Sequence, residues 1–266
     1  MRFKSPLIAI SAVGVLALSA CGGSGSSSGN AADQSQNNKQ LGNTGNGQDP
    51  TAKGPVTIAG AQKGGTVTVL TLTGLTTTLD PSEIYYTDTD SIFSSLIGRS
   101  LTQYKYDPTT KNMVLVPDLA TDLGTHNDDY TKWTFTIRPG VKWGENGKPV
   151  TAKDVAFGMQ RCMDPATFPT GACQYYSNVF YKGGSAYKGM YTTPQAKFNA
   201  IKVNGNKITI TMAKPFPDMP YWGAFPANGP VPSGSVSNPK TYKNHPWSTG
   251  PYMIKSYSPA KELVLE

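Results

Sequence analysis

The stretch WTFTIRPGVKWGENGKPVTAKDVAFGMQR, residues 133–161, constrains the fold more than any other part of the chain. Trp133, Phe135 and Ile137 alternate with Thr134, Thr136 and Arg138, the period of a strand with one buried face. Glu145-Asn146-Gly147 follows, and Asn-Gly marks a tight turn because both residues tolerate positive φ. Thr151 then precedes a helical pattern, with Asp154 three residues on, which predicts an N-cap and a capping box. Ala152, Val155, Ala156, Met159 and Met163 form its apolar stripe. None of these residues makes a catalytic constellation, so the stretch reads as scaffold.

The N-terminus is set apart from that scaffold. Arg2 and Lys4 precede a short apolar run, too short to span a bilayer, in the pattern of a signal peptide over residues 1–20. It ends in Leu18-Ser19-Ala20-Cys21, which is similar to the lipobox of bacterial lipoproteins. That resemblance implies cleavage before Cys21 and acylation of its thiol, hence a chain anchored to a membrane but not spanning it. Residues 21–62 are rich in Gly, Ser, Asn and Gln and hold no aromatic residue. Such a segment buries too little apolar surface to order itself and reads as a flexible stalk. Its coil reach is on the order of 35 Å. Gly25-Ser26-Ser27-Ser28-Gly29 matches a nucleophile elbow by letter, but a polar linker offers no strand-to-helix turn to present the serine.

Charge and cysteines exclude several functions. Losing Arg2 and Lys4 with the leader takes the net charge from +7 to +5, and the lysines are scattered, so no nucleic-acid footprint is concentrated anywhere. His126 and His245 have no partners at metal-ligand spacing, and no cofactor is called for. Cys162 and Cys173 bracket a turn-rich loop and, outside the cytosol, are expected to form a disulfide. Ser258-Pro259-Ala260-Lys261 matches S-x-x-K, yet lies in strand-like sequence and not at a helix start, so no enzyme is expected.

The folded part is expected over residues 63–266. Residues 64–74, GGTVTVLTLTG, are β-branched with apolar residues on both faces and read as a buried central strand. TDSIFSSLIG predicts a short helix ending at Gly98. Two strands are expected around Asp107-Pro108, a hairpin at Asn204-Gly205 and a two-strand pattern at the C-terminus.

Together these residues closely resemble the extracellular solute-binding proteins of the dipeptide, oligopeptide and nickel group, family 5. Trp133, Phe135, Arg138, Gly140, Val141, Gly147, Val150, Thr151, Ala152, Asp154, Val155 and Phe157 fit that family's signature. Ser248-Thr249-Gly250-Pro251-Tyr252, followed by KELVLE, is similar to its Gly-Thr-Gly-Pro-Tyr segment and the strand after it. The chain departs from the pattern at Gly144-Glu145-Asn146-Gly147, where His-Asp-Gly is common, and in length. The resemblance implies an α/β, periplasmic-binding-protein-like fold of the class II type. It implies a first lobe with an inserted mixed β/α subdomain and with the second lobe missing, an N-terminal fragment. The implied function is capture of a peptide or related small solute and delivery to an ABC permease and its ATPase. A surface-tethered interaction or sensory module on such a lobe is the alternative. Ligand contacts are expected at Thr73, Gly74 and Leu75, at Tyr85 and Tyr86, and at Trp222 in the aromatic loop with Tyr221 and Phe225.

Overall fold

The computed structural model describes residues 47–52, 60–62, 64–72, 74–75, 78–174, 178–195, 197–234, 236 and 238–266. Cys21, the leader, the stalk up to residue 46 with its Gly25–Gly29 motif, and Thr73 lie outside the described residues.

The centre of the fold is a four-stranded antiparallel sheet in the order β3-β4-β6-β5. Its strands are β3 (Thr125–His126), β4 (Lys132–Thr136), β5 (Ile201–Asn204) and β6 (Lys207–Thr211). In β4, β5 and β6 apolar and polar residues alternate, which gives the sheet one buried face. Trp133 stands opposite Ile210 and Phe135 opposite Ile208, and all four are buried. The β5–β6 hairpin closes over Asn204 and Lys207, as the Asn-Gly turn predicts.

Helix α2 (Ala152–Arg161) packs on the apolar side of this sheet. Its start is fixed by a complete capping box. The Thr151 hydroxyl accepts from the Asp154 N–H, and the Asp154 carboxylate accepts from the Thr151 N–H at 2.9 Å. Asp154 also accepts from the Ser233 N–H and hydroxyl, each at 2.9 Å, so the cap doubles as a tie to a distant loop. Gly158 is required where α2 meets that loop, since a Cβ there would lie 2.3 Å from the Gly229 carbonyl oxygen. Val155, Met159, Trp133, Phe135, Ile208 and Ile210 share this main core.

A second, smaller cluster of Leu79, Ile84, Phe93, Ile97 and Ile254 lies beside it. Helix α1 (Thr87–Ile92) and a π-helical turn (Phe93–Ile97) supply one side. A two-stranded hairpin, β7 (Ile254–Ser258) with β8 (Glu262–Leu265), supplies the other. A third hairpin joins β1 (Thr102–Asp107) to β2 (Asn112–Pro117).

Two expectations are corrected. Residues 64–72 join no ladder, and Val67, Val69, Leu70 and Leu72 are exposed, Leu70 to 90%. A strand apolar on both faces needs a paired strand on each side, and among the described residues this segment has no ladder partner. The stalk, expected to run free to residue 62, meets the domain earlier. Gln48 bridges Leu115 in parallel, the Asp49 N–H donates to the Leu115 carbonyl at 2.8 Å, and the Leu115 N–H donates to that of Gly47 at 2.8 Å. Composition shows how little side-chain burial such a segment can achieve, but it is silent about main-chain bonding to an open strand edge.

Candidate functional site

The signature residues form a joint between the two apolar clusters. The Arg138 guanidinium donates to the carbonyls of Asp118 and Ala120 at 2.9 and 3.2 Å, holding the end of β4 against the chain that follows β2. Arg99 pairs with the Asp118 carboxylate on the same segment. Glu145, in the turn before α2, accepts from the Ser248 N–H at 2.8 Å, and Trp143 packs edge-on against Trp247. Burial raises the Glu145 carboxyl above its usual range, against the opposing effect of that hydrogen bond. The Ser248 hydroxyl lies 2.8 and 2.5 Å from the carbonyls of Ile97 and Tyr252 and donates its one proton to either, and Thr249 accepts from the Arg99 N–H at 2.9 Å. Ser248 and Thr249 thus lock the π-helical turn to the segment entering β7. A hydroxyl pair next to Gly-Pro was the only sequence signal of this role.

A second joint was missed by sequence reasoning. Arg161, at the end of α2, is fully buried and bidentate to Asp80, with both N–O distances 2.6 Å. It also donates to the Ser82 and Tyr191 hydroxyls and lies 4.4 Å over the Phe168 ring. In sequence, Asp80 stands before Pro81 and by itself marks no more than a turn. Beyond α2, Cys162 is bonded to Cys173 with Cα atoms 5.8 Å apart. Asp164 then accepts from the N–H groups of Thr167, Tyr191 and Thr192 and from the Thr192 hydroxyl. Burial pushes its carboxyl up, but these donors outweigh it and hold the pKa below the usual value.

The sequence-predicted ligand contacts separate into two groups. Leu75 packs against the second cluster, whose Ile84 immediately precedes Tyr85 and Tyr86. The two tyrosines are 47% and 50% exposed, with rings edge-on at 5.5 Å. Gly74 passes close to the β7–β8 turn, where a Cβ would lie 2.7 Å from the Ala260 Cα. Trp222, by contrast, is only 8% exposed and packs on Phe180 and Phe225 in the main core, so its ring is not offered to a ligand. An aromatic residue in a Pro-rich loop carries no period to say which way it turns. Leu75 thus packs on the second cluster and Gly74 lies by the β7–β8 turn, while Tyr85 and Tyr86 make an exposed aromatic patch directly after Ile84 in the chain.

Nothing in this patch has the form of a catalytic centre. Ser258 is the last residue of β7 and Lys261 lies in the turn before β8, where the Lys261 N–H donates to the Ser258 carbonyl at 3.0 Å. Among the described residues no group of His, Cys, Asp and Glu could hold a metal ion, and no helix is long and apolar enough to cross a membrane.

The solved structures that share this mixed α/β fold place it in the periplasmic-binding-protein class. An oligopeptide-binding protein 2 of clavulanic acid biosynthesis is 29% identical, with a TM-score of 0.64, covering 71% of this chain and 34% of its own. The unliganded open form of the murein tripeptide-binding protein MppA is 25% identical with a TM-score of 0.57, covering 71% and 35%. The family described as bacterial extracellular solute-binding proteins, family 5 middle, matches residues 114–266, and the chain belongs to that family. Among curated relatives, the periplasmic murein peptide-binding protein MppA of Escherichia coli is 29% identical over 153 residues, 57% of this chain and 28% of MppA. The oligopeptide-binding protein OppA of Bacillus subtilis is 27% identical over 157 residues, 56% and 27%. The chain spans about a quarter of the length of these curated relatives.

Proposed function

We propose that the chain is the solute-binding component of an ABC importer that captures peptides and hands them to a membrane permease. Cys21 carries the lipid that anchors it on the extracytoplasmic face, and it performs no chemistry on its ligand. The observation that carries this reading is the agreement in fold, at 29% identity, with a protein titled an oligopeptide-binding protein. Tyr85, Tyr86, Gly74, Leu75 and the neighbouring Thr73 contact the ligand. A peptide lies extended on such a patch, held through its backbone, with exposed aromatic rings adding area at little cost in side-chain entropy.

Calorimetry on the mature chain tests it with three probes: a pool of tri- to pentapeptides, a dipeptide pool and nickel ion. Saturable heat with the longer peptides, weakened about tenfold or more in Tyr85→Ala/Tyr86→Ala, supports the reading. A folded protein silent to both peptide pools overturns it. Labelled palmitate appearing on the wild type and not on Cys21→Ser tests the anchor separately.

A further inference from the structure

The polar face of the central sheet, opposite α2, has an unusual charge arrangement. Strand register sorts its outward residues into three rows. In the first, Lys132 stands opposite Thr211, and Lys182 flanks Thr211 on the far side, its N–H donating to the Thr211 carbonyl at 2.9 Å. The second runs Thr125, Thr134, Thr209 and Lys202. The third runs Thr136, Lys207 and Asn204. Every row holds a lysine and none holds a carboxylate. All four lysines are exposed, and they take part in none of the ion pairs formed among the described residues.

The other hairpins mix their signs. Lys255 lies 3.6 Å from Glu266 across β7–β8, and β1 carries Asp107 beside Lys105. The carboxylates near β3 and β4 in sequence, Asp122, Asp128 and Asp129, lie in turns at the ends of the strands and not in the three rows. Asp122 accepts from Thr121 and Gly124, and Asp129 accepts from Thr131. Threonines, linked in one place by a Thr134–Thr209 hydroxyl contact of 3.2 Å, keep the ground between the lysines low. The result is a sheet face whose rows hold threonines, one asparagine and four exposed lysines.

We propose that this lysine–threonine face docks on an anionic bilayer surface, its ammonium groups meeting lipid phosphates, and so sets how the tethered lobe lies on the membrane. A single-sign sheet face matches a planar headgroup layer better than it matches a groove-seeking partner. The inference rests on the reading of the chain as a tethered envelope protein for the nearness of that surface. Gly47 and Asp49 are bonded to β2, so the stalk expected from composition would run over 22–46, and a coil of that length would reach roughly 25–30 Å. Each lysine near an anionic membrane contributes roughly a fivefold factor, summing to an orienting bias that salt weakens.

The test uses the chain from residue 22 onward, without its anchor, and measures sedimentation with vesicles of phosphatidylcholine alone or with about a third phosphatidylglycerol. Lys132, Lys182, Lys202 and Lys207 are changed to Gln in one variant; Lys105, Lys111, Lys148 and Lys153 are changed in a charge-matched control. The proposal expects partitioning to the anionic vesicles, absent on neutral ones, to fall at least tenfold in the first variant and less than twofold in the control. Equal losses in both would reduce the effect to net charge and overturn it. No wild-type partitioning would also overturn it, as would binding to soluble polyphosphate without binding to vesicles. The double variant Lys132→Gln/Lys202→Gln, expected to lose about half the effect on a logarithmic scale, covers the case in which the fourfold variant does not fold. Peptide calorimetry on the same variants separates failure here from failure of the importer reading, since these lysines lie away from the tyrosine patch.

Discussion

Two stretches with nearly the same alternation meet opposite fates in this molecule. WTFTI in β4 buries Trp133 and Phe135 almost completely, whereas TVTVLTL at 66–72 leaves Val67, Val69, Leu70 and Leu72 exposed. The difference lies in neighbours. β4 has β3 and β6 beside it and α2 above, while 66–72 has no ladder partner among the described residues. Period-two patterning states that a segment is built to be a strand; it does not supply the strands that bury it.

The contrast can be broken or sharpened by mutation. The largest effect is expected where the second cluster is bolted to the main core. Asp80→Ala strands a fully buried guanidinium and should cost as much as about 5 kcal/mol in chemical denaturation. A loss under about 1 kcal/mol would mean that the two clusters stand independently. Phe135→Ala, inside the main core, should cost about 4 kcal/mol through lost burial and a residual cavity.

Asp164→Asn should cost about 2 kcal/mol at neutral pH, because an amide offers fewer acceptor sites to four donors. Its pH dependence follows from the lowered carboxyl. A group whose folded pKa is depressed contributes stability above its unfolded pKa, near 3.9, and loses it as pH falls through the folded value. The gap between wild type and Asp164→Asn should therefore be constant near neutrality and narrow below about pH 4. A gap that widened in acid would contradict the assignment. Smallest of all, Leu70→Ser should change stability by less than about 0.5 kcal/mol, since the side chain is already in water. A loss of about 2 kcal/mol would show that residues 64–72 are buried in solution.

What the sequence disclosed divides along the same line. The Thr151–Asp154 box, the Asn204-Gly205 hairpin and the buried faces of β4 and β6 were legible because their causes are local. Arg161 was not, because its partner Asp80 is distant in sequence and each residue alone reads as ordinary surface. Nor was the side on which Trp222 packs, since loop aromatics show no period. The docking of Gln48 on Leu115 is a main-chain event that composition cannot register. Of the expected ligand contacts, only the fold showed that Leu75 packs on the second cluster while Trp222 belongs to the main core.

The central claim is that the main core is scaffold and that solute meets the chain at the tyrosine patch. Hydrogen exchange on the mature chain, with and without a saturating pool of tri- to pentapeptides, tests this most directly. The account predicts slowed exchange at residues 73–75 and 84–90, with α2 and β4–β6 unchanged. Protection centred on α2 or the central sheet, with the tyrosine patch unaffected, would contradict it.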